Sequence, residues 1–335
     1  MKKVKSITTS LFILLIVFCI LGPLQKEANA ITLRYAHVGT AGEIQTRFGL
    51  EFATLVKERT EGRIEIQVFP NSQLGNIDEM MDGIKSGTIS MGHHAFPTLG
   101  RFIPDMAVFS APFIFRDAKH ALNAGNPSTS PILREMNQEL IKKANMRVIG
   151  SYYMGARQLS AKLAVYSPKD LKGKKIRVVP NKLWTSMVKG MGAIPTPVEV
   201  SELSTALMTG LVSGQENPLD TIWARKWYEA QSHIMMTNHM LLTLCVFMNE
   251  KVWQSIPEKD QAIISDCLVK MADKTVEWNR TIDEDLKQKM KEKGVTFIEE
   301  KDGLDVGAFR TAVLAQIKED FPEWAKYIDK LKELK

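Results

Sequence analysis

The sequence lacks the short motifs that mark common enzyme sites. Its 335 residues contain no G-x-S-x-G nucleophile turn, no H-E-x-x-H metal site and no phosphate-binding P-loop. A dinucleotide glycine fingerprint is also missing, because Gly190 and Gly192 are followed by Ala193-Ile194-Pro195. No low-complexity segment or fixed-period repeat is present. We therefore expect no enzymatic activity, no cofactor and no bound metal.

Cysteine and surplus charge are also scarce. Of three cysteines, Cys19 lies near the N-terminus and only Cys245 and Cys267 follow, without a metal-binding spacing. We expect two isolated, buried thiols, although the sequence leaves a disulfide between them open. The chain carries a net charge of +6; residues 1–30 hold four lysines and one glutamate, or +3, so +3 remains. This surplus excludes a typical nucleic-acid-binding protein and is compatible with a single anion-binding cleft.

The N-terminus has the pattern of a secretory signal peptide. Three lysines within the first five residues precede an unbroken apolar run of eleven residues, Leu11 to Leu21. This run is shorter than the ~20 residues that a membrane-spanning helix needs. Ala28-Asn29-Ala30 then supplies a small-x-small cleavage site. We expect cleavage after residue 30 and export to the periplasm.

Hydrophobic periodicity predicts an α/β protein. Strand patterns at 31–36, 64–68 and 88–92 alternate with helical patterns at 43–61 and 78–85, which is typical of a parallel sheet covered by helices. Later segments continue the pattern: strands at 147–152 and 174–179, helices at 183–191, 202–208 and 259–293, and a helical tail at 307–335 interrupted near residue 321. About 305 residues suffice for more than one core, so we expect two lobes.

Arg177 is the first candidate for binding an anion. It lies on a predicted strand, where Lys175, Arg177 and Val179 share one face. A guanidinium group is planar, permanently charged and able to donate two parallel hydrogen bonds to a carboxylate. Taken alone, an arginine at a strand end is more often a surface charge.

Arg157 and the Glu216-Asn217-Pro218 motif supply further polar groups. Arg157 follows a predicted strand end, where ligands of open α/β sheets bind, although a loop charge or an interdomain salt bridge would give the same pattern. Pro218 favours an extended Asn217, whose amide is able to donate to and accept from a ligand, although Asn-Pro is also a common turn. We expect Glu216 to hold an arginine or the hinge rather than meet an anion directly.

An aromatic residue and three histidines complete the candidates. Trp184 follows the Arg177 strand and would form either a ligand wall or part of the core. His93 and His94 are adjacent on a strand and face opposite sides, so at most one reaches a cleft. His37, at the end of the first strand, is a further pocket candidate, and for all three histidines an ordinary structural role is the alternative.

The segment SPKDLKGKKIRV (167–178) overlaps the beginning of the stretch from 170 to 218, and GQENP (214–218) ends this stretch. The stretch resembles the solute-binding subunits of tripartite ATP-independent periplasmic (TRAP) transporters. The segments FPNSQLG (69–75), FSAPF (109–113) and MTNH (236–239) resemble recurring segments of the same family. The resemblance covers nearly the whole chain after residue 30. It identifies Arg177 as the carboxylate-binding arginine and implies ligand contacts for Arg157 and Asn217. Val179 departs from the family pattern, in which proline commonly follows the arginine-valine pair.

The resemblance implies a two-lobe periplasmic binding protein fold (class II-like), each lobe a mixed sheet flanked by helices, with a long helix spanning the hinge. We assign residues 31–154 and 243–282 to lobe I, and residues 155–242 and 283–335 to lobe II. The lobes would close over one organic acid and then dock on a small and a large membrane subunit. We expect a monomer.

The identity of the organic acid stays open at this stage. Two arginines suit a C4-dicarboxylate, a 2-oxo or hydroxy acid, a uronate or a sialate. A sensory binding protein that presents an organic acid to a membrane receptor would share the fold and the pocket. The genes adjacent to this one would distinguish the two functions.

Overall fold

The computed structural model describes residues 30–334. The predicted signal peptide, apart from Ala30, lies outside the described residues. Within residues 30–334, no helix combines the length and the apolar composition that crossing a membrane requires.

In the described part of the chain, nine strands form one mixed sheet. They are β1 (Ile31–Ala36), β2 (Ile64–Phe69), β3 (Met91–Ala95), β4 (Met146–Ala161), β5 (Lys175–Val178), β6 (Ile194–Pro197), β7 (Gly214–Asn217), β8 (His233–Asn249) and β9 (Thr296–Ile298). Their order is β2-β1-β3-β8-β4-β7-β5-β6, and β9 pairs with β8. Neighbours are parallel except at β3–β8, β8–β4 and β4–β7, which are antiparallel.

Eleven α-helices cover the sheet within the described residues. They are α1 (Ile44–Arg59), α2 (Ile77–Ser86), α3 (Ala118–Ala124), α4 (Pro131–Ala144), α5 (Lys182–Gly190), α6 (Leu203–Thr209), α7 (Leu219–Ala224), α8 (Glu250–Ser255), α9 (Glu258–Glu292), α10 (Val306–Asp320) and α11 (Ala325–Glu333). The 35-residue α9 packs against α1 and β4 and also reaches α7 and β9, so it contacts both halves of the sheet.

The two long strands, β4 and β8, join the halves of the sheet. The C-terminal part of β8 pairs with β3, whereas its first residues pair with β9. The C-terminal part of β4 pairs with β7. The β4–β8 ladder is interrupted at three register shifts, one of them between Tyr153 and Gly155, where Gly155 has a φ of 119°. Positive φ costs glycine little, so this residue permits the irregular turn of the strand.

The α/β architecture predicted from the sequence is confirmed, and most predicted elements lie within a few residues of the observed ones. One prediction is wrong: Arg157 does not follow the end of its strand, because β4 continues to Ala161. The β8 strand had no sequence prediction. Its residues are almost all buried, so the polar-apolar alternation of a half-exposed strand is absent.

The two cysteines of the described chain are free and buried. Cys245 lies on β8, where its thiol donates to the carbonyl oxygen of His94, and Cys267 lies on α9. The structure thus contains isolated thiols, as the sequence spacing suggested.

Gly214 provides a test of how β4, β5 and β7 pack together. A Cβ at this position would meet the backbone carbonyl oxygen of Ser160 and lie 2.9 Å from Cδ1 of Ile176. We expect Gly214→Ala to lower the free energy of unfolding by about 1–3 kcal/mol, measured by urea denaturation. Gly307→Ala is the control, because its Cβ would lie 3.5 Å from the nearest atom, Oδ1 of Asp305, and alanine favours the α10 helix. A Gly214→Ala protein as stable as the unaltered one would contradict this packing.

Candidate functional site

Strands β4, β5 and β7 bring the main candidate residues together. The β4–β7 ladder places Gln158 opposite Asn217 and Leu159 opposite Glu216. On the other side, β7 pairs with β5 through Gly214 and Ile176, next to Arg177. The arginines of β4 and β5 and the amide of β7 therefore lie on three adjacent strands, although the chain separates them by 20 to 60 residues.

A cavity of about 60 Å³ lies at this place. Five of the candidates line it: Arg157, Arg177, Asn217, Trp184 and His94. Glu216 and His37 are buried but are not part of its lining.

Glu216 forms a buried ion pair with Arg157. Its carboxylate accepts from Nε of Arg157 and, at 2.7 Å, from Nη2. Nε2 of His239 lies 2.9 Å from the same carboxylate, and Nδ1 of His239 lies 2.7 Å from the Thr237 hydroxyl. Burial alone raises the pKa of Glu216, but the charge of Arg157 and these hydrogen bonds outweigh it and lower the pKa to about 2. Arg157 is therefore oriented and neutralised by the protein itself.

Arg177 differs from Arg157 in having no carboxylate partner among the described residues. Its side chain is 2% exposed, and Nε donates to the Val198 carbonyl oxygen at 2.8 Å. Burial lowers the pKa of Arg177 to about 10, and the charge of Glu216 opposes this effect. The group is still protonated at neutral pH. A cation is thus held at the cavity wall without an ion pair.

Asn217 and Trp184 border the two arginines. The Asn217 amide nitrogen donates to Oε1 of Gln215 at 2.6 Å. Asn181 caps α5 by accepting from the Leu183 amide, which fixes the helix turn that carries Trp184. The guanidinium carbon of Arg157 lies 5.7 Å from the centre of the Trp184 ring, within cation–π range.

The three histidines have different environments. His94 lines the cavity, its buried Nδ1 has no hydrogen-bond partner, and burial, followed by the charges of Arg157 and Arg177, lowers its pKa to about 4. His93 faces the other way: Nδ1 lies 2.5 Å from the Tyr35 hydroxyl, and its ring stacks on His37 with centroids 4.6 Å apart. His94 is therefore a neutral polar group of the cavity, whereas His93 and His37 belong to a buried aromatic cluster.

Sequence reasoning missed a third arginine of the cavity. Arg225, in the loop after α7, donates through Nε to Oε1 of Glu43 at 2.7 Å and through Nη2 to the Val38 carbonyl oxygen at 2.8 Å. Gln45 and Thr221 also line the cavity. These partners lie more than 170 residues apart in the chain, and no local pattern signals such a contact.

Asp220 joins α7 to the start of α1. Its carboxylate accepts from the Ile44 amide at 2.9 Å, at the positive end of the helix dipole. Burial raises the pKa of Asp220 to about 7; the bond from Ile44 opposes this rise, and the charges of Glu43 and Asp283 add to it.

The arrangement suits an anion better than a metal ion. Three guanidinium groups, two amides, one hydroxyl and a neutral imidazole line the cavity. The guanidinium groups only donate hydrogen bonds and carry positive charge, which favours an anion. Across residues 30–334 there is no group of three or more His, Cys, Asp or Glu side chains placed to hold a metal ion.

Residues 35–323 match the bacterial extracellular solute-binding proteins, family 7. The chain is 29% identical over 266 residues to the sialic acid-binding periplasmic protein SiaP of Vibrio cholerae, covering 79% of this chain and 82% of the relative. It is 29% identical to the 2,3-diketo-L-gulonate-binding periplasmic protein YiaO of Escherichia coli, covering 95% and 94%. A TRAP periplasmic solute-binding protein from Roseobacter denitrificans, solved with bound L-galactonate, has a TM-score of 0.81 at 26% identity, covering 90% of this chain and 98% of that one.

The environment of Asp220 predicts a pH effect on stability. The folded protein holds the Asp220 proton more tightly than the unfolded chain, whose ordinary pKa is 3.8. Wild-type stability therefore falls as pH rises from about 4 to about 7, by at most about 1.4 kcal/mol per pH unit from this group. Asp220→Asn keeps an acceptor for Ile44 but does not titrate, so the variant should gain stability relative to wild type across this range.

Urea denaturation at several pH values between about 4.5 and 7.5 measures this difference, and other titrating groups cancel in the comparison. Asp305→Asn is the control, because this carboxylate also caps a helix, accepting from the Ala308 amide, but lies at the surface. A constant difference between wild type and Asp220→Asn across the range would show that Asp220 stays ionised in the folded protein.

Proposed function

The chain belongs to family 7 of the bacterial extracellular solute-binding proteins, the DctP family of TRAP transporter subunits, and we propose that it captures an organic acid through Arg177 and delivers it to the membrane subunits of its transporter. Its relatives are binding proteins rather than enzymes, and so is this chain.

One observation carries the proposed mode of binding: Arg177 is buried at the cavity wall, cationic at neutral pH, and without a carboxylate partner in the described chain. A buried unpaired charge is costly, and a ligand carboxylate removes that cost while accepting two parallel hydrogen bonds. Two relatives are named for binding sialic acid and 2,3-diketo-L-gulonate, and a third was solved with bound L-galactonate. All three compounds contain a carboxylate, which supports the same ligand class here.

The other cavity residues have supporting roles in this proposal. Asn217 presents its amide oxygen to a ligand hydroxyl, and Trp184 supplies an apolar wall. Arg157, held by Glu216 through Nε and Nη2, offers the N–H groups of Nη1 to the ligand without adding net charge. His94 offers the unpartnered Nδ1. Glu216 and His37 act indirectly, because neither lines the cavity.

The lobes are proposed as residues 31–154 with 243–282, and residues 155–242 with 283–335. This division crosses β4 at the irregular turn around Gly155 and crosses β8 near its middle. Closure of the two lobes would expel water from the cavity, which lowers the local dielectric and strengthens the bond between arginine and carboxylate. The closed form would dock on the small and large membrane subunits, which import the acid with a cation gradient.

Export places the protein where such a receptor acts. The family members named above are periplasmic. We propose that this chain reaches the periplasm through cleavage after Ala30 and works there as a monomer.

A thermal-shift screen tests the ligand class. The purified protein, freed of carried-over ligand by unfolding and refolding, is heated with a panel of organic acids, neutral sugars and amines. A ligand at about 100 times its Kd stabilises the folded state by about 2.7 kcal/mol. We expect a rise in Tm confined to organic acids. A response to neutral solutes and none to carboxylates would contradict the proposal.

Arg177→Ala tests the residue that carries the binding. We expect organic-acid binding to weaken by about 2–5 kcal/mol, because the ligand carboxylate would be desolvated without its partner. Isothermal titration with an acid found in the screen measures this change. Lys175→Ala is the control, because Lys175 lies on the same strand but is exposed, and it should bind as wild type does. An unchanged affinity in a folded Arg177→Ala protein would exclude the proposed role of this arginine.

A further inference from the structure

The charges around the cavity are arranged in pairs, with one exception. Three arginines line it: Arg157, Arg177 and Arg225. Arg157 is paired with Glu216, and Arg225 is paired with Glu43. Within residues 30–334, no carboxylate lies within ion-pair distance of Arg177. The three arginines and the two carboxylates paired with them therefore carry three positive and two negative charges. Burial raises the pKa of Glu43, whereas the charge of Arg225 and the bonds from Thr40 and Gln45 oppose this rise.

The Glu43–Arg225 pair is built into the protein rather than formed at its surface. The Glu43 side chain is fully buried, and that of Arg225 is 11% exposed. Oε1 of Glu43 accepts from Arg225 at 2.7 Å and from the Thr40 amide at 3.1 Å, while Oε2 accepts from the Gln45 amide nitrogen at 2.6 Å. Both carboxylate oxygens are used, so Glu43 holds Arg225 in a fixed position.

The remaining titratable groups near the cavity do not add positive charge. His94 is neutral at neutral pH. Glu199 interacts electrostatically with Arg177, and Asp220 with Glu43. Both carboxyls lie outside the lining, and any negative charge on them reduces the surplus further. The cavity therefore has an excess of at most one positive charge.

We infer that Glu43 determines the charge of the ligand: by neutralising Arg225 it leaves a single unpaired guanidinium, so the site selects a monocarboxylate with neutral polar groups over a dicarboxylate. This inference rests on the proposed function, because it assumes that Arg177 receives the first carboxylate. A second carboxylate would be desolvated without a free cation, which is strongly unfavourable. A hydroxyl in its place has suitable partners in Gln45, Thr221 and Asn217.

Matched ligands isolate this effect. Galactonate and galactarate differ only at one terminal carbon, which is a CH₂OH group in the first and a carboxylate in the second. The pair 2,4-dihydroxybutanoate and malate differs in the same way on a shorter chain. Isothermal titration at about pH 8, where all these carboxylates are ionised, gives the ratio of the two Kd values for each pair. In the unaltered protein we expect the monocarboxylate of a pair to bind at least about tenfold more tightly.

Glu43→Gln makes Arg225 available to a second carboxylate. We expect the ratio to move by about tenfold or more towards the dicarboxylate. Glu51→Gln is the matched control, because it removes the same charge from the surface of α1, where Glu51 pairs with Arg47 and Lys274, and it should leave the ratio unchanged. The double variant Glu43→Gln with Arg225→Gln removes both charges of the pair and should keep the preference for monocarboxylates.

Glu43→Gln leaves a buried arginine unpaired and so lowers stability. Thermal shifts extend the test to a weakly folded variant. In that measurement, a dicarboxylate should raise the Tm of Glu43→Gln more than its monocarboxylate partner does. A dicarboxylate preference in the unaltered protein, or one ratio shared by wild type, Glu43→Gln and Glu51→Gln, would overturn the inference. If Arg177→Ala still weakens organic-acid binding in that case, the proposed function stands without this inference. Failure of every organic acid to bind the unaltered protein would overturn both.

Discussion

The cavity depends on the burial of guanidinium groups, which is favourable only when their charge is compensated. Transferring an ion from water into a protein interior costs several kcal/mol even after relaxation. The protein compensates two of its three cavity arginines internally, Arg157 through Glu216 and Arg225 through Glu43. Each carboxylate is itself held by further donors, His239 in one case and Thr40 and Gln45 in the other. Breaking either network would leave a buried charge unpaired, and the Glu43–Arg225 pair, which joins the two proposed lobes, is therefore a contact of their closed arrangement.

The long antiparallel strands β4 and β8 make this arrangement possible. Arg157 lies within β4 and His239 within β8, so the ladder that joins the two halves of the sheet also carries two members of the Glu216 network. The same ladder contains three register shifts, and Gly155 lies at one of them. Two of the shifts precede Arg157 and the third lies between Arg157 and Leu159, so the residue that forms the ion pair is flanked by irregular backbone on both sides. The uninterrupted α9 helix packs across this region and contacts both halves.

Local patterns predicted those features that depend on a few neighbouring residues. The strands β1, β2 and β5 alternate in polarity, and α1 and α2 show helical spacing, so their positions follow from periodicity. The β8 strand is buried on both faces and has no such alternation. Arg157, Arg177, Asn217 and Trp184 were recognised from their motifs, and the structure brings them to one cavity. The pairing of Arg225 with Glu43 is not predictable from the sequence, because no local pattern indicates that the fold places these two distant residues 2.7 Å apart.

In the proposed function, the uncompensated charge of Arg177 would link ligand binding to the closure of the two lobes. With the side chain 2% exposed, water hardly reaches the guanidinium group, and its pKa falls to about 10. A closed form without an anion would therefore carry the desolvation cost of one cation, whereas an open cleft would hydrate it. A carboxylate repays this cost only in the closed form, so it favours closure by the difference in its affinity for the two forms. Neutral solutes leave the cost in place. In the proposed function, the unpaired arginine that binds the anion would thus also make the closed form depend on the presence of that anion.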